Sequence, residues 1–320
     1  MAIDRRRFLA LASASAAALA APARAAARLD VVATTGMIAD AARQIGGDLV
    51  EVKALMGPGV DPHSYRQTRS DIVALTRADL VLRHGLYLEA QMEDLFAKLA
   101  PRGTLVAVGE AVPRDRLIAH RTYADKFDPH VWMVPALWSH AVTAVGDALA
   151  LRLPDAADQV AARKAAYLAQ VARLQSYAET TLATVPAQSR VLVTAHDAFS
   201  YFGRAFGYEV MGIQGISTES EAGLNRIAEL VETLVSRRIR AAFVESSVSD
   251  RNIRALIEGA AAQGHRVEIG GELFSDAMGR DGTYEGTYPG MIDHNVTTIA
   301  RALGGTPPER GMDGRLAAQS

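Results

Sequence analysis

Apolar positions between residues 155 and 185 recur at steps of mostly three and four: Val160, Tyr167, Leu168, Val171, Leu174, Ala178, Leu182 and Val185. That spacing places them on one face of a helix. Nothing inside the run breaks it. Pro154 stands at the start, where a missing N–H costs nothing, Asp155 and Asp158 suit the positive end of the helix dipole, and Pro186 stops the run. At 1.5 Å per residue it spans roughly 45 Å, the length of a whole lobe. The pattern predicts a rigid linking helix over 154–186.

On both sides the pattern changes to short β-branched runs alternating with helix-like segments, as in α/β lobes with parallel sheets. Strands are expected near Leu29–Thr34, Val50–Leu55, Leu80–Arg83 and Thr104–Val108, with a helix near Pro135–Leu151. After the linking helix the plan repeats. Strands are expected near Arg190–Thr194, Glu209–Ile213, Ala241–Val244 and Arg266–Ile269, with helices near Ala198–Phe206, Glu221–Arg237, Asp250–Gln263 and Pro289–Leu303. The predicted fold class is therefore α/β: two (β/α)4-like lobes, 28–153 and 187–303, joined by one long rigid helix, each lobe burying its own core. Residues 304–320, rich in Gly, Pro and charge, are expected to be a disordered tail.

Residues 1–27 are expected to be a targeting segment. Arg5-Arg6-Arg7-Phe8-Leu9 has a twin-arginine pattern, Leu9 to Ala21 is apolar but too short to span a bilayer, and Ala-x-Ala sites place cleavage between Ala23 and Arg28. The mature chain is then an exported, periplasmic protein. A net charge of −2 gives no basic footprint for nucleic acid, and no nucleic-acid-reading motif is present. The chain has no cysteine, which excludes disulfides, thiolate metal sites, cysteine nucleophiles and a lipid-modified cysteine.

Ligands of open parallel sheets bind beyond the carboxyl ends of the strands, so polar residues there are the first candidates. Four segments qualify: Gly57-Pro58-Gly59-Val60-Asp61-Pro62-His63, Asp128-Pro129-His130-Val131-Trp132, Thr194-Ala195-His196-Asp197, where a helix is expected to begin at His196, and Leu273-Phe274-Ser275-Asp276. Each lobe thus offers two candidate ligands to the cleft. Three imidazoles and a carboxylate suit zinc and are acceptable to manganese or iron. A lone histidine is ordinarily a solvated or satisfied side chain, whereas two Asp-Pro-His repeats and Thr-Ala-His-Asp at strand ends form a set. Asp61, Asp128 and Asp197 lie within two positions of a histidine and are candidates to orient the ligands, as is Glu245 at the end of a strand. His84, in Arg83-His84-Gly85-Leu86, also stands at a strand end.

These segments, in this order and with the long helix between the second and third, resemble the TroA-like zinc and manganese periplasmic binding proteins of ABC importers. The resemblance covers about Leu29 to Leu303 and is strongest in Thr194-Ala195-His196-Asp197-Ala198-Phe199, Phe243-Val244-Glu245-Ser246-Ser247 and Gly271-Glu272-Leu273-Phe274-Ser275-Asp276-Ala277-Met278-Gly279. It implies His63, His130, His196 and Asp276 as metal ligands and two lobes on one rigid helix. It further implies one Zn2+ or Mn2+ per chain as cargo, delivered to an inner-membrane ABC permease; a metallochaperone is a candidate further partner, a monomer suits a periplasmic carrier, and no catalysis is expected. The zinc branch usually carries a histidine-rich loop before the second ligand, but Val112 to Phe127 holds only His120; the manganese branch often has a carboxylate at the third ligand, where this chain has His196. Ligand chemistry favours zinc, with manganese next. At His84 the family more often has Asn. His120, His140, His265 and His294 are expected to be surface or structural.

Two rival classes remain at this level. A metal-dependent hydrolase needs an open coordination position and a general base, and no His-Glu-x-x-His, Gly-x-Ser-x-Gly or P-loop pattern occurs. A surface adhesin on the same fold would need an anchor, against which the missing cysteine weighs.

Overall fold

The computed structural model describes residues 28–120, 123–219 and 223–317; the expected targeting segment, 1–27, lies outside the described residues. In the first lobe β1 (Leu29–Ala33), β2 (Val50–Ala54), β3 (Leu80–Arg83) and β4 (Leu105–Ala107) form a parallel sheet in the order β2-β1-β3-β4. Its helices are α1 (Gly36–Gly46), α2 (Arg69–Arg77), α3 (Glu93–Leu99) and α4 (Pro135–Arg152). The linking helix is α5 (Ala157–Ala183), preceded by a 3-10 turn at Pro154–Ala156. The second lobe holds β5 (Val191–Thr194), α6 (Ser200–Phe206), β6 (Glu209–Gly212), α7 (Leu224–Arg237), β7 (Ala241–Glu245), α8 (Arg251–Ala262), β8 (Glu268–Leu273) and α9 (Tyr288–Ala302).

The sequence pattern and the structure agree to within a few residues on every strand and on the helices whose bounds the pattern predicts, and they differ in three respects. First, the strands of the second lobe pair as β5-β6 and β7-β8, all parallel; β5 runs beside β7, without a continuous hydrogen-bonded ladder across the four. Second, the main core is shared by the lobes. One apolar cluster runs from Val31, Ile38 and Trp138 in the first lobe through Val160, Val171, Leu174 and Leu182 of α5 to Tyr201, Phe243, Ile292 and Ile299 in the second. Smaller clusters flank it, around Phe96 and Leu75 on one side and around Leu234 and Leu256 on the other. The apolar face of α5 packs on α1, α4 and α9, so both lobes are anchored to the same rod.

Third, 304–317 is ordered against the second lobe rather than forming a disordered tail. Buried Asp293 on α9 needs donors, and the Met312 amide lies 3.0 Å from each of its carboxylate oxygens. Gly311 makes the turn with φ +75°, where a Cβ would fall 2.4 Å from Asp293 Oδ1. Leu316 is buried, and the Thr306 amide donates to Thr184 Oγ1 at the end of the linking helix. The charge and glycine that read as disorder serve a local cap.

A polar tie crosses the shared core. Asp40 on α1 accepts from Tyr167 Oη on α5 at 2.7 Å and from the Tyr288 amide at the start of α9 at 3.1 Å, joining both lobes and the rod. Burial raises its pKa against those donors. Tyr167→Phe removes one donor from this buried carboxyl while keeping the ring; the expected loss is about 1–3 kcal/mol, read by urea unfolding of metal-free protein.

Candidate metal centre

Each of the four strand-end segments turns inward at the junction of the lobes. The main chain continues the β2 pairing through the Leu55 and Met56 amides, which donate to Ala33 and Thr34 carbonyls, then turns at Gly59 (φ +71°) to present His63. His130 follows a longer excursion after β4, in which the Asp128 amide returns to the Ile118 carbonyl. His196 lies just beyond β5, where Thr194 Oγ1 donates to its carbonyl at 2.8 Å. Gly212 on β6 admits this loop, since a Cβ there would meet the Asp197 amide nitrogen at 2.7 Å. Asp276 follows β8, and the buried Asn295 side chain pins the preceding turn by bonding both the amide and the carbonyl of Phe274.

The four side chains converge so that one ligand atom from each lies within 4.8 Å of the others. His63 Nε2 is 3.2 Å from His130 Nε2, His130 Nε2 is 3.3 Å from Asp276 Oδ1, and His196 Nε2 is 3.2 Å from Asp276 Oδ2. His130 and His196 are fully buried, and His63 and Asp276 retain only 4% and 2% exposure. His196 Nε2 and both Asp276 oxygens are close to their neighbours without the alignment of a hydrogen bond. Buried polar atoms aimed at one point and unsatisfied by one another are what a cation would satisfy.

Carboxylates behind the rings set their orientation. His130 is held by Asp128 Oδ1, 2.7 Å from Nδ1 and 2.9 Å from the amide. Glu245, at the end of β7, treats His196 the same way, at 2.5 Å from Nδ1 and 2.9 Å from the amide. In both rings the Nδ1 proton is thus donated outward, and Nε2 faces the centre. Asp61 acts differently. Its Oδ1 accepts from the His63 amide at 2.9 Å, so it fixes that histidine by the main chain and not by the ring.

Two sequence candidates stand apart from the cluster. Asp197 accepts from Ser200 Oγ, because the chain turns through 196–199 before the helix begins at Ser200 instead of at His196. His84 is buried beside Trp132 and Trp138 with Nε2 2.8 Å from the Pro129 carbonyl, so it supports the His130 loop from behind. Of the other histidines, His265 and His294 bond the carbonyls of Ile239 and Glu272, and His140 pairs with Arg116. Sequence reading missed Glu89. Its buried carboxyl takes the Thr34 hydroxyl and the His84 and Gly85 amides, an arrangement foreshadowed only by a carboxylate in an otherwise apolar Leu-Glu-Ala stretch.

The electrostatics are those of a charge-compensated pocket. Burial alone would raise the Asp276 carboxyl, but the imidazoles of His196, His130 and His63 hold it well below the usual range. Burial alone would lower His130 and His196; Asp128 and Asp276 lift His130 to about 9, and Glu245 and Asp276 lift His196 well above its ordinary value. His63, where burial prevails, falls to about 4. The carboxylates thus favour positive charge at His130 and His196, and the same field favours a cation at the centre. Glu245→Gln in the metal-free protein removes the largest of the influences that raise His196 and leaves that of Asp276; imidazole NMR titration is expected to find His196 titrating at lower pH in the variant than in the natural protein.

Residues 31–302 match the family described as the periplasmic component A of the zinc-uptake complex, ZnuA. The manganese-binding lipoprotein MntA of Bacillus subtilis is 48% identical over 276 residues, which cover 86% of this chain and 90% of MntA. The zinc-binding protein TroA of Treponema pallidum is 48% identical over 273 residues, 85% of this chain and 88% of TroA. The solved structure of that periplasmic zinc-binding protein superposes with a TM-score of 0.85 at 47% identity, covering 87% of this chain and 99% of the TroA chain. With two parallel lobes on one linking helix and a family match over nearly all the described residues, this chain belongs to the ZnuA/TroA-like family of periplasmic metal-binding proteins of ABC transporters.

Proposed function

We propose that this chain captures a divalent transition metal between its lobes through His63, His130, His196 and Asp276 and passes it to an inner-membrane ABC permease. The observation that carries the reading is the convergence of four buried ligand atoms from four separate strand ends. Binding, not catalysis, suits the geometry: all four positions are filled by side chains, whereas a metal hydrolase keeps one for water and a base beside it. The protein then works as an exported carrier in the periplasm, monomeric, reached by the twin-arginine route, with a metallochaperone as a further candidate partner.

Zinc is the favoured cargo. A tetrahedron with Zn–N and Zn–O bonds of about 2.0 Å has edges of about 3.3 Å, and the closest ligand-atom pairs stand 3.2, 3.3 and 3.2 Å apart. Three nitrogens and one oxygen point the same way. Manganese is the second reading, supported by the placement of Asp276, which turns one oxygen to His130 and the other to His196 and so can offer both to a larger, harder ion. Relatives of equal similarity are named for manganese and for zinc, so likeness alone does not select between them.

Loading exchanges protons for metal. An imidazole must be neutral at Nε2 to ligate, and the surrounding carboxylates raise the pKa of His130 and His196, so a lower pH opposes binding and favours release. Mature protein purified without added metal is expected to carry one equivalent of zinc by elemental mass spectrometry and to hold it against excess manganese. One equivalent of manganese, or easy exchange, moves the assignment to a manganese carrier, and no bound metal with no affinity overturns it. His196→Ala is expected to weaken binding by orders of magnitude with the fold retained by circular dichroism. Competition titrations at pH 5 to 8 are expected to show affinity rising with pH, by up to about tenfold per unit for each proton displaced; a flat profile rules the exchange out.

A further inference from the structure

Three of the four ligands are tied to the second lobe by buried bonds. His196 and Asp276 belong to that lobe. His130 belongs to the first by sequence, yet its loop is gripped by side chains from the other side: Tyr201 Oη donates to the Asp128 carbonyl at 2.8 Å, Tyr288 Oη donates to the Trp132 carbonyl at 2.9 Å, and the Trp132 indole donates to the Ser275 carbonyl at 2.7 Å. All are buried, and the last joins the segment bearing His130 to the residue before Asp276.

His63 is held differently. Its amide rests on Asp61 Oδ1, and Asp61 Oδ2 accepts from Ser64 Oγ at 2.8 Å and, across the cleft, from Thr218 Oγ1 at 2.6 Å. Thr218 lies in the loop after β6, half-buried at the mouth of the site, where His63, Leu86, Tyr87, Tyr123 and Ile216 line a small pocket. A neighbouring bond, Gln91 to Glu219, spans the same mouth from an exposed position. The rim here is also conformationally costly, since Leu86 and Tyr87 hold φ values of 53° and 69°.

We propose that Thr218 is a positioning residue for His63, acting through Asp61, and that the site parts along this line: His63 and its loop separate from His130, His196 and Asp276, which stay together. The proposal rests on the metal-binding reading for its consequence, release of the ion, but the mechanical division exists without metal. Buried bonds in a dry core open more rarely than a hydroxyl–carboxylate bond at a rim, where water can replace either partner.

The test compares Thr218→Val, which keeps the shape and removes the hydroxyl, Thr218→Ser, which restores it, and Tyr201→Phe, which removes a bond on the other side. In metal-free protein, hydrogen exchange by mass spectrometry is expected to quicken about tenfold in peptides covering 57–65 for Thr218→Val, with 128–133 unchanged and Thr218→Ser like the natural chain. In zinc-loaded protein, stopped-flow transfer to a chromogenic chelator is expected to be about tenfold faster for Thr218→Val and within about threefold of the natural rate for Thr218→Ser and Tyr201→Phe. Unchanged exchange at 57–65 in Thr218→Val, an equal rise at 128–133, or faster zinc loss from Tyr201→Phe than from Thr218→Val overturns the proposal. Should the natural protein take up no zinc, the function proposed above fails, and the exchange measurement on metal-free protein still decides this one.

Discussion

Three imidazoles and a carboxylate gathered at one buried point must be compensated from outside the cluster, and much of the surrounding structure serves that need. Asp128 and Glu245 sit behind two of the rings, accepting hydrogen bonds from Nδ1 and turning Nε2 inward. Counting Asp276 with them gives three carboxylates around three imidazoles, a field that attracts either two protons or one divalent cation. The same carboxylates that favour protonated imidazoles also favour a cation at the centre, so the two compete for one field.

The packing explains why such a site can be built from two lobes. An interface between independently cored domains would be free to hinge, and ligand atoms a few ångströms apart would drift with it. Here one apolar cluster passes through α5 into both lobes, and Asp40, Tyr167 and Tyr288 place a buried polar tie along the same path. Interiors packed at this density transmit displacement instead of absorbing it. At the open side of the cleft, by contrast, part-buried and exposed bonds such as Thr218 to Asp61 and Gln91 to Glu219 replace buried ones.

The four side chains that converge were legible as candidates because strand-end loops carry function and because Asp-Pro-His occurs twice. The linking helix was legible from its spacing, and the face predicted from it is the one that packs, apart from Leu168, which is only partly buried. Proximity in sequence was a poorer guide to the supporting carboxylates. Asp128 lies two residues from its histidine and orients it; Asp61 and Asp197 lie as near, yet one holds a main-chain amide and the other accepts from the Ser200 hydroxyl. Local turn geometry decides where a carboxylate points, and composition does not carry it.

What the sequence determined by itself was the set of elements, the rod between the lobes, the four candidate ligands and the chemical class of their cargo, since each rests on short-range periodicity or on residue type. Only the tertiary structure decided that the lobes share a core, that 304–317 packs as a cap on Asp293, and that Glu245 holds His196 from 49 residues away. The same is true of the ties Trp132 to Ser275 and Thr218 to Asp61, separated by 143 and 157 residues. Such contacts join side chains common in any sequence, and their partners become neighbours only after the strands have been ordered and the two lobes have closed on one helix.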